Sequence, residues 1–201
     1  MSDFDSIAGI YDVLVRLVFG RTLTRMRVAH FRSILPGSKV LIVGGGTGAC
    51  LEALPDVATI HYVEKSRRML SKAKLRKSKV PVHFICEDFV EWEVPQSFDT
   101  ILTPFFLDVF DAERLELVIQ KLKEGLKDGG RLIVTDFKDT RKWPHQLLLW
   151  VMHRFFKFSV KLESSRLQDL HCILESEGFI AVDRKWSPKG FIFSGVYVPK
   201  K

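Results

Sequence analysis

A run of glycines and a carboxylate further along the chain are the residues with the clearest capacity for chemistry. Gly44, Gly46 and Gly48 follow the apolar segment 40–43. Glycine lets the chain turn sharply and lets a ligand approach the backbone with no Cβ in the way. Glu64 ends the next apolar segment, where a carboxylate can accept both hydroxyl groups of a ribose. Together, the glycines and Glu64 predict a site for a cofactor that contains adenosine.

The glycine spacing is compatible with two kinds of adenosine cofactor. Gly44, Gly46 and Ala49 satisfy the GxGxxG/A pattern of dinucleotide-binding proteins, which keeps an NAD-binding protein open as an alternative. Gly44, Gly46 and Gly48 also satisfy GxGxG. The segment 86–89 offers a carboxylate and an aromatic ring where an adenine could lie. A dehydrogenase would also need catalytic residues on a second domain, and little chain is left for one.

The elements that must position these residues alternate between short apolar runs and helical patterns, which is typical of an α/β fold. Five apolar runs predict the strands Lys39–Val43, Thr59–Val63, Pro81–Ile85, Phe98–Thr103 and Arg131–Asp136. Helical patterns are predicted over residues 4–34, from the glycine loop to Leu54, from Ser66 to about Lys77, from Asp111 to the Asp128-Gly129-Gly130 stop, and over 144–177. The helices lie between strands, so the first five strands are expected to be parallel.

The end of the chain breaks this alternation. Phe179–Trp186 and Gly190–Val198 read as two strands joined by Ser187-Pro188-Lys189. A loop that short forces an antiparallel hairpin, because a parallel crossover needs a dozen or more residues. We therefore expect a single Rossmann-like domain over residues 1–201, with helices on both faces of a seven-stranded, mostly parallel sheet and a C-terminal antiparallel hairpin. Within it, residues 1–36 would form a helical lid and 141–165 a helical insert over the substrate site.

Composition excludes several other classes of protein. The chain has 201 residues and a net charge of +7, which suits one globular domain with a basic surface. Cys50, Cys86 and Cys172 are far apart, so neither a metal site nor a disulfide framework is predicted. Neither a signal peptide nor a membrane-spanning run is visible. The expected location is the cytoplasm.

Six motifs together resemble the class I S-adenosylmethionine-dependent methyltransferases, most closely the group around the ubiquinone/menaquinone-biosynthesis C-methyltransferases. The resemblance covers most of the chain. The matching segments are FDSIAGIYD (4–12), VLIVGGGTG (40–48), VEKSRRML (63–70), CEDF (86–89), FDTILTPFFLDVF (98–110) and LKDGGRLIVTDF (126–137). The implied cofactor is S-adenosyl-L-methionine.

The resemblance also implies how the adenosine end of the cofactor would be held. Glu64 would bind the ribose hydroxyls. Lys65 and Met69 would border the adenine. Asp88 would accept a hydrogen bond from the adenine amino group, and Phe89 would pack beside the ring.

For the methionine end, the resemblance implies that the glycine loop, with Thr47 in it, meets the methionine and ribose portions. Residues 103–105, namely Thr103, Pro104 and Phe105, would face the methionine portion and the sulfonium, and Tyr11 would close the pocket. The chain departs from the family at Ile42, where relatives commonly carry an acidic residue. That departure leaves a non-catalytic adenosyl-binding scaffold as an alternative.

Methyl transfer from a sulfonium is an in-line displacement, so positioning the acceptor is the main task and no catalytic triad is required. A general base is needed only if the acceptor must first lose a proton. Candidates for a base or an acceptor-positioning group are Tyr11, Asp108, His145 and His153. The sequence does not select one of them as catalytic.

Large apolar residues in three segments suggest what the acceptor is. The N-terminal helix, residues 104–110 and the insert 141–165 are rich in leucine and aromatic residues, which predicts a small, apolar or aromatic acceptor. The insert also carries basic residues, so peripheral contact with an anionic membrane is a further hypothesis. Methylation of RNA or protein is the alternative that a basic pI permits, but the chain has no added RNA-binding module and no Asn/Asp-Pro-Pro-Tyr motif.

Overall fold

The computed structural model describes residues 21–138 and 168–200. Most of the predicted N-terminal lid and the whole insert 141–165 lie outside these described residues. Tyr11, His145 and His153 therefore also lie outside them.

A seven-stranded sheet forms the centre of the molecule, in the order β3-β2-β1-β4-β5-β7-β6. The strands are β1 Lys39–Val43, β2 Thr59–Val63, β3 Val82–Ile85, β4 Phe98–Pro104, β5 Leu126–Phe137, β6 Phe179–Trp186 and β7 Ile192–Pro199. The pairs among β1 to β5 are parallel, whereas β7 runs antiparallel to both β5 and β6. The predicted mostly parallel sheet with its C-terminal hairpin is confirmed, and the hairpin inserts its second strand next to β5.

Four α-helices accompany the strands in the described residues: α1 Thr22–Arg27, α2 Arg67–Lys74, α3 Ala112–Gly125 and α4 Leu170–Ser176. The predicted cap of α3 is confirmed, because the Asp111 side chain accepts a hydrogen bond from the Arg114 amide. The Ser66 side chain caps α2 in the same way. No helix within 21–138 or 168–200 is long and apolar enough to cross a membrane.

Two of the predicted helix bounds are wrong. The glycine loop leads into a single 3₁₀ turn at Leu51–Ala53 instead of an α-helix. Pro55 follows closely and holds Leu54 in an extended conformation, which leaves no room for a helix. Helix α3 ends at Gly125 and not at the Asp128-Gly129-Gly130 stop, because Leu126 already pairs with Phe98 across the sheet.

The hydrophobic core lies on both faces of the sheet. Alternate residues of β1 enter opposite clusters: Leu41 and Val43 pack on the side of α3, and Val40 and Ile42 pack on the side of α2. All four are fully buried. A strand that is apolar on both faces is what a central parallel strand requires. The end of this strand is therefore firmly held, and it delivers the glycine loop to one edge of the sheet.

Candidate functional site

The candidate site lies at the carboxyl ends of the central parallel strands. The chain leaves β1 towards β2 on one side, and β4 adds to β1 on the other side. Between β1 and β4 the strand order therefore reverses, and ligands of open α/β sheets bind in the crevice at such a point. The loops after β1, β2 and β4 converge there.

The glycine loop requires glycine for two different reasons. Gly44 and Gly46 both have φ of 62°, a conformation that residues with a Cβ rarely adopt. A Cβ on Gly44 would lie 2.3 Å from the Phe106 ring, so the protein itself fills that space. A Cβ on Gly46 would meet only the Met69 sulfur, at 3.8 Å. The Gly46 side of the loop is thus open to a ligand.

Tyr62 supports this loop from below. Its ring is fully buried, and its hydroxyl donates a hydrogen bond of 3.0 Å to the Gly46 carbonyl. Burial is the largest cause that raises the pKa of Tyr62 well above its usual range, so the hydroxyl keeps its proton and remains a donor. Gly48 packs directly on Ala73 of α2, which leaves no space for a side chain there.

Glu64 joins the glycine loop to the loop after β2. One carboxylate oxygen accepts from the Gly46 amide at 3.0 Å, and the other accepts from the Ser66 amide at 2.8 Å. The residue is only 7% exposed. Backbone amides thus hold both carboxylate oxygens in place beside the glycine loop.

The residues predicted to border adenine are brought together only in part. The Lys65 ammonium donates to the Asp88 carboxylate, and both side chains remain partly exposed beside the loop after β2. Met69 is buried under the glycine loop. The Phe89 ring is also buried and lies 5.9 Å from the Phe106 ring between their centroids, inside the core and not on an open surface. Phe89 would therefore support a bound ring from behind.

The segment after β4 is constrained. Phe105 has φ of 58°, the only positive value at a residue other than glycine in the described ranges. Its amide donates to the Thr135 carbonyl at 2.7 Å, and its ring lies 5.0 Å from the Phe137 ring between centroids. The wholly buried Thr103 hydroxyl has no hydrogen-bond partner among the described residues. Strained backbone and an unmatched polar atom at a strand end are both features of functional sites.

Asp136 is a buried carboxyl group at the carboxyl end of β5. Its Oδ2 accepts from the amides of Leu107 at 2.9 Å and Asp108 at 3.3 Å, and its Oδ1 accepts from the Phe137 amide at 3.0 Å. The carboxyl group of Asp108 lies beside that of Asp136, and each affects the pKa of the other. Two neighbouring carboxyl groups favour the state in which one of them carries a proton over the state in which both are ionised.

Burial is the largest cause of the pKa shifts in this pair. It raises the pKa of Asp108 to about 6. Burial and then the negative charge of Asp108 raise the pKa of Asp136 well above its usual range. Both shifts favour the protonated form, and the Asp136 side chain is fully buried whereas Asp108 is only partly buried.

Three residues of this region were not predicted as site residues: Tyr62, Phe106 and Asp136. Tyr62 fills the space beside Gly45, and Phe106 fills the space beside Gly44. No sequence pattern predicts either contact. Asp136 does have a signal, because a carboxylate two residues after the apolar run 132–134 stands at the end of a buried strand. In residues 21–138 and 168–200, no group of three or more His, Cys, Asp or Glu side chains could hold a metal ion.

The sequence matches known methyltransferases. Residues 40–130 match the family model described as a methyltransferase domain. An uncharacterized methyltransferase of Bacillus mycoides is 29% identical over 191 residues, which cover 88% of this chain and 87% of that protein. The match thus includes the glycine loop, Glu64, the segment after β3 and the segment after β4.

Solved structures share the fold. An S-adenosylmethionine-dependent methyltransferase of Clostridium acetobutylicum superposes with a TM-score of 0.66 at 14% identity, covering 98% of this chain and 99% of that one. The N-methyltransferase NodS of Bradyrhizobium japonicum, in complex with S-adenosyl-L-homocysteine, gives a TM-score of 0.63 at 16% identity, covering 92% and 89%. At these identities the likeness concerns the fold, which is the Rossmann-like fold of methyltransferases.

Proposed function

We propose that this chain, a methyltransferase that uses S-adenosyl-L-methionine, transfers the methyl group to a small, apolar or aromatic acceptor. The observation that carries the cofactor half of this proposal is the hydrogen bond from the Gly46 amide to the Glu64 carboxylate. That bond fixes an open stretch of backbone next to a carboxylate at a strand end, which is the position from which a carboxylate binds ribose hydroxyls in Rossmann-like folds.

The residues around the loop fit the cofactor. Glu64 would accept from the ribose hydroxyls, while Gly44, Gly46, Thr47 and Gly48 present backbone to the ribose and methionine portions. The open side of Gly46, where a Cβ would touch only the Met69 sulfur, provides the space. When bound, S-adenosyl-L-methionine supplies a methyl group activated by a sulfonium.

The adenine would lie over the loops after β2 and β3. Asp88 would accept from its amino group, with Lys65 and Met69 at its border and Phe89 supporting the ring from the core. The Asp88 carboxylate already has a fixed orientation, because its Oδ1 accepts from the Val90 amide at 3.1 Å. Its other oxygen, which accepts from the exposed Lys65 ammonium, could bind a ligand instead, because exposed ion pairs contribute little free energy.

The methionine portion would lie against the segment after β4. Thr103, Pro104 and Phe105 would face it, and Tyr11, outside the described residues, would close the pocket. The strained φ of Phe105 turns the chain at the strand end, where Pro104 and Phe105 are partly exposed and Thr103 is buried.

Aromatic rings support an apolar or aromatic acceptor. Phe105, Phe137 and Phe191 form a chain of rings beyond the ends of β4 and β5, with successive centroids 5.0 and 5.1 Å apart. Phe106 and Phe110 form a second pair at 5.1 Å. Phe105 and Phe106 are only partly buried, so theirs are the rings of this set that an acceptor could contact, and an aromatic ring pairs well with a flat apolar partner. A quinone precursor, as in the ubiquinone-type group, fits this description.

The remaining parts of the proposal concern the whole chain. One methyltransferase domain would span residues 1–201, with 1–36 and 141–165 covering the acceptor, and 141–165 providing any contact with an anionic membrane. The three cysteines are free thiols, which suits a reducing compartment, and we place the protein in the cytoplasm.

The test of the cofactor is calorimetric binding of S-adenosyl-L-homocysteine, S-adenosyl-L-methionine and NADH to the full chain. We expect binding of both adenosyl ligands and none of NADH. Glu64→Gln should weaken binding, whereas Glu52→Gln, a matched change at an exposed carboxylate, should not. Binding of NADH alone would refute the cofactor assignment.

The test of the acceptor uses radiolabelled S-adenosyl-L-methionine with a panel of small phenols, anilines and quinone precursors, alongside mixed RNA and protein extract. We expect label in small aromatic compounds. Label only in RNA or in protein would replace the proposed acceptor class. Binding without transfer to any of these acceptors would favour the non-catalytic scaffold that the Ile42 departure suggests.

A further inference from the structure

We propose that Asp108 is the general base that takes the proton from an aromatic hydroxyl group of the acceptor, and that Asp136 is the positioning residue that holds Asp108. This inference rests on the proposed function and makes it narrower: the acceptor is a phenol-type hydroxyl that is methylated on oxygen. The two carboxyl groups stand at the ends of β4 and β5, next to the segment assigned to the methyl-donor side of the crevice.

The backbone at Asp108 is held in place by hydrogen bonds to the end of β5. The 3₁₀ turn Leu107–Val109 begins directly after the strained Phe105-Phe106 segment. Asp136 accepts from two amides of this turn and so fastens it to the end of β5. Leu107 is fully buried and anchors the turn, whereas Asp108 beside it is only partly buried.

The chemistry of the pair suits a base near neutral pH. A buried carboxyl group that keeps its proton donates it to its partner, and the partner stays ionised and oriented. Each carboxyl acts on the other, and no other charged side chain in the described part of the chain shifts the pKa of either one. A base is most effective when its pKa lies close to the working pH, and burial raises the pKa of Asp108 to about 6.

A second observation points to a polar group bound in the same place. Thr103 pairs with Val134 across the sheet, and Asp136 lies two residues beyond Val134, so Thr103 and Asp136 share a face of the sheet. The Thr103 hydroxyl is wholly buried and has no partner among the described residues. A hydroxyl group on a bound acceptor or the polar end of the donor would satisfy it.

A general base is needed for some classes of acceptor and not for others. A neutral amine has a free electron pair and attacks a sulfonium methyl group without help, whereas a phenol becomes a good nucleophile only as its proton leaves. In the proposed step the phenol oxygen forms its bond to the methyl carbon while the carbon–sulfur bond breaks. The sulfur keeps that electron pair, and the hydroxyl proton passes to the Asp108 carboxylate. The products are an aryl methyl ether and S-adenosyl-L-homocysteine.

The experiment compares matched phenols and anilines of equal size as acceptors for the full chain, from pH 5 to pH 9. We expect methyl transfer to phenols, with kcat rising through pH 6 to a plateau. Asp108→Asn should lower kcat on phenols at least 100-fold. Asp111→Asn, the same change three residues away at a helix cap that asparagine also fills, should keep the wild-type rate.

Asp136→Asn tests the positioning role. It should move the midpoint of the acid limb in the pH profile of kcat, a change that loss of structure alone would not produce. A readout independent of turnover is the infrared stretching band of a protonated carboxyl group. We expect the wild type to retain this band at pH 7 and Asp136→Asn to lack it.

The outcomes separate this inference from the proposed function, because binding of S-adenosyl-L-homocysteine is measured in every sample. Transfer to anilines but not phenols, a wild-type rate for Asp108→Asn, or a flat pH profile between 5 and 7 would overturn the inference while the proposed function stands. Binding with no transfer to either series would also overturn it. Loss of binding in the wild type would instead overturn the proposed function.

Discussion

The two halves of the crevice are built in different ways. In the half at the ends of β1 and β2, Glu64 is held by the amides of Gly46 and Ser66, which lie 18 and 2 residues from it in the chain. In the half at the ends of β4 and β5, Asp136 holds Leu107 and Asp108 from 29 and 28 residues away. The first half is thus built over a shorter stretch of chain than the second.

This difference matches the tasks proposed for the two halves. The donor half, at the ends of β1 and β2, is proposed to bind the cofactor, and a small arrangement of glycines and one carboxylate suffices for that. The acceptor half must suit one substrate, and function of that kind depends on the site and not on the fold. Substitutions in each half, and a change of pH, test whether the two halves differ in this way.

Glu64→Ala should have the largest effect. It removes the ribose acceptor and leaves the Gly46 and Ser66 amides without their partner, so we expect the affinity for S-adenosyl-L-homocysteine to fall by about 100-fold, which is about 3 kcal/mol. Isothermal titration calorimetry measures the affinity, and circular dichroism checks that the variant is folded. A dissociation constant within threefold of the wild-type value would show that the donor half is not built around Glu64.

Gly44 and Gly46 allow a paired test, because a Cβ on Gly44 would meet the Phe106 ring whereas a Cβ on Gly46 would enter largely open space. Both Gly44→Ala and Gly46→Ala incur strain of about 1 kcal/mol from the positive φ. Only Gly44→Ala also drives a methyl group into the Phe106 ring, which should cost about 2 kcal/mol more in the free energy of unfolding. Urea unfolding measures the difference. Equal destabilisation would mean that Phe106 moves aside easily and that the two halves of the crevice are not packed against each other.

The free energy of unfolding should depend on pH because of Asp108 and Asp136 in the acceptor half, at the ends of β4 and β5. Burial raises the pKa of Asp108 to about 6 from its ordinary 3.8, and the pKa of Asp136 is raised in the same direction. The folded state therefore binds more protons than the unfolded state, so this contribution is complete below pH 4 and is lost as the pH rises through 6.

The matched reference is the double variant Asp108→Asn/Asp136→Asn, which has no carboxyl group to titrate at this place. We expect the stability of the wild type relative to this variant to fall by on the order of 2 kcal/mol between pH 4 and pH 7. Urea unfolding at each pH measures it. A relative stability that rises over this range would mean that the pair is ionised in the folded protein.

Lys65→Gln should have the smallest effect. The Lys65 ammonium is 58% exposed where it meets Asp88, and exposed ion pairs contribute less than about 1 kcal/mol. We expect the melting temperature to shift by only a few degrees at most and the affinity for S-adenosyl-L-homocysteine to stay within about threefold. A large loss of stability would show that the donor half, too, depends on contacts between distant segments.

Much of the fold could be predicted from the sequence because its signals are local. The strand bounds of β1 and β2 are as predicted, since an unbroken apolar run ends at a glycine or a carboxylate. The Asp111 cap and the antiparallel hairpin follow from short-range rules on capping and loop length. The bounds that are wrong lie where another influence competes: Pro55 limits the turn after the glycine loop, and pairing of Leu126 with Phe98 ends α3 early.

The sequence by itself determined the order of the elements, the glycine loop and the acidic strand end, because each depends on residues next to one another in the chain. Only the tertiary structure decided that Asp136 meets Asp108, that the Thr103 hydroxyl is left unmatched, and that Phe106 fills the space beside Gly44. The physical reason is burial. Withdrawal from water raises the pKa of both carboxyl groups, and it depends on the packing of the whole sheet and not on any short stretch of sequence.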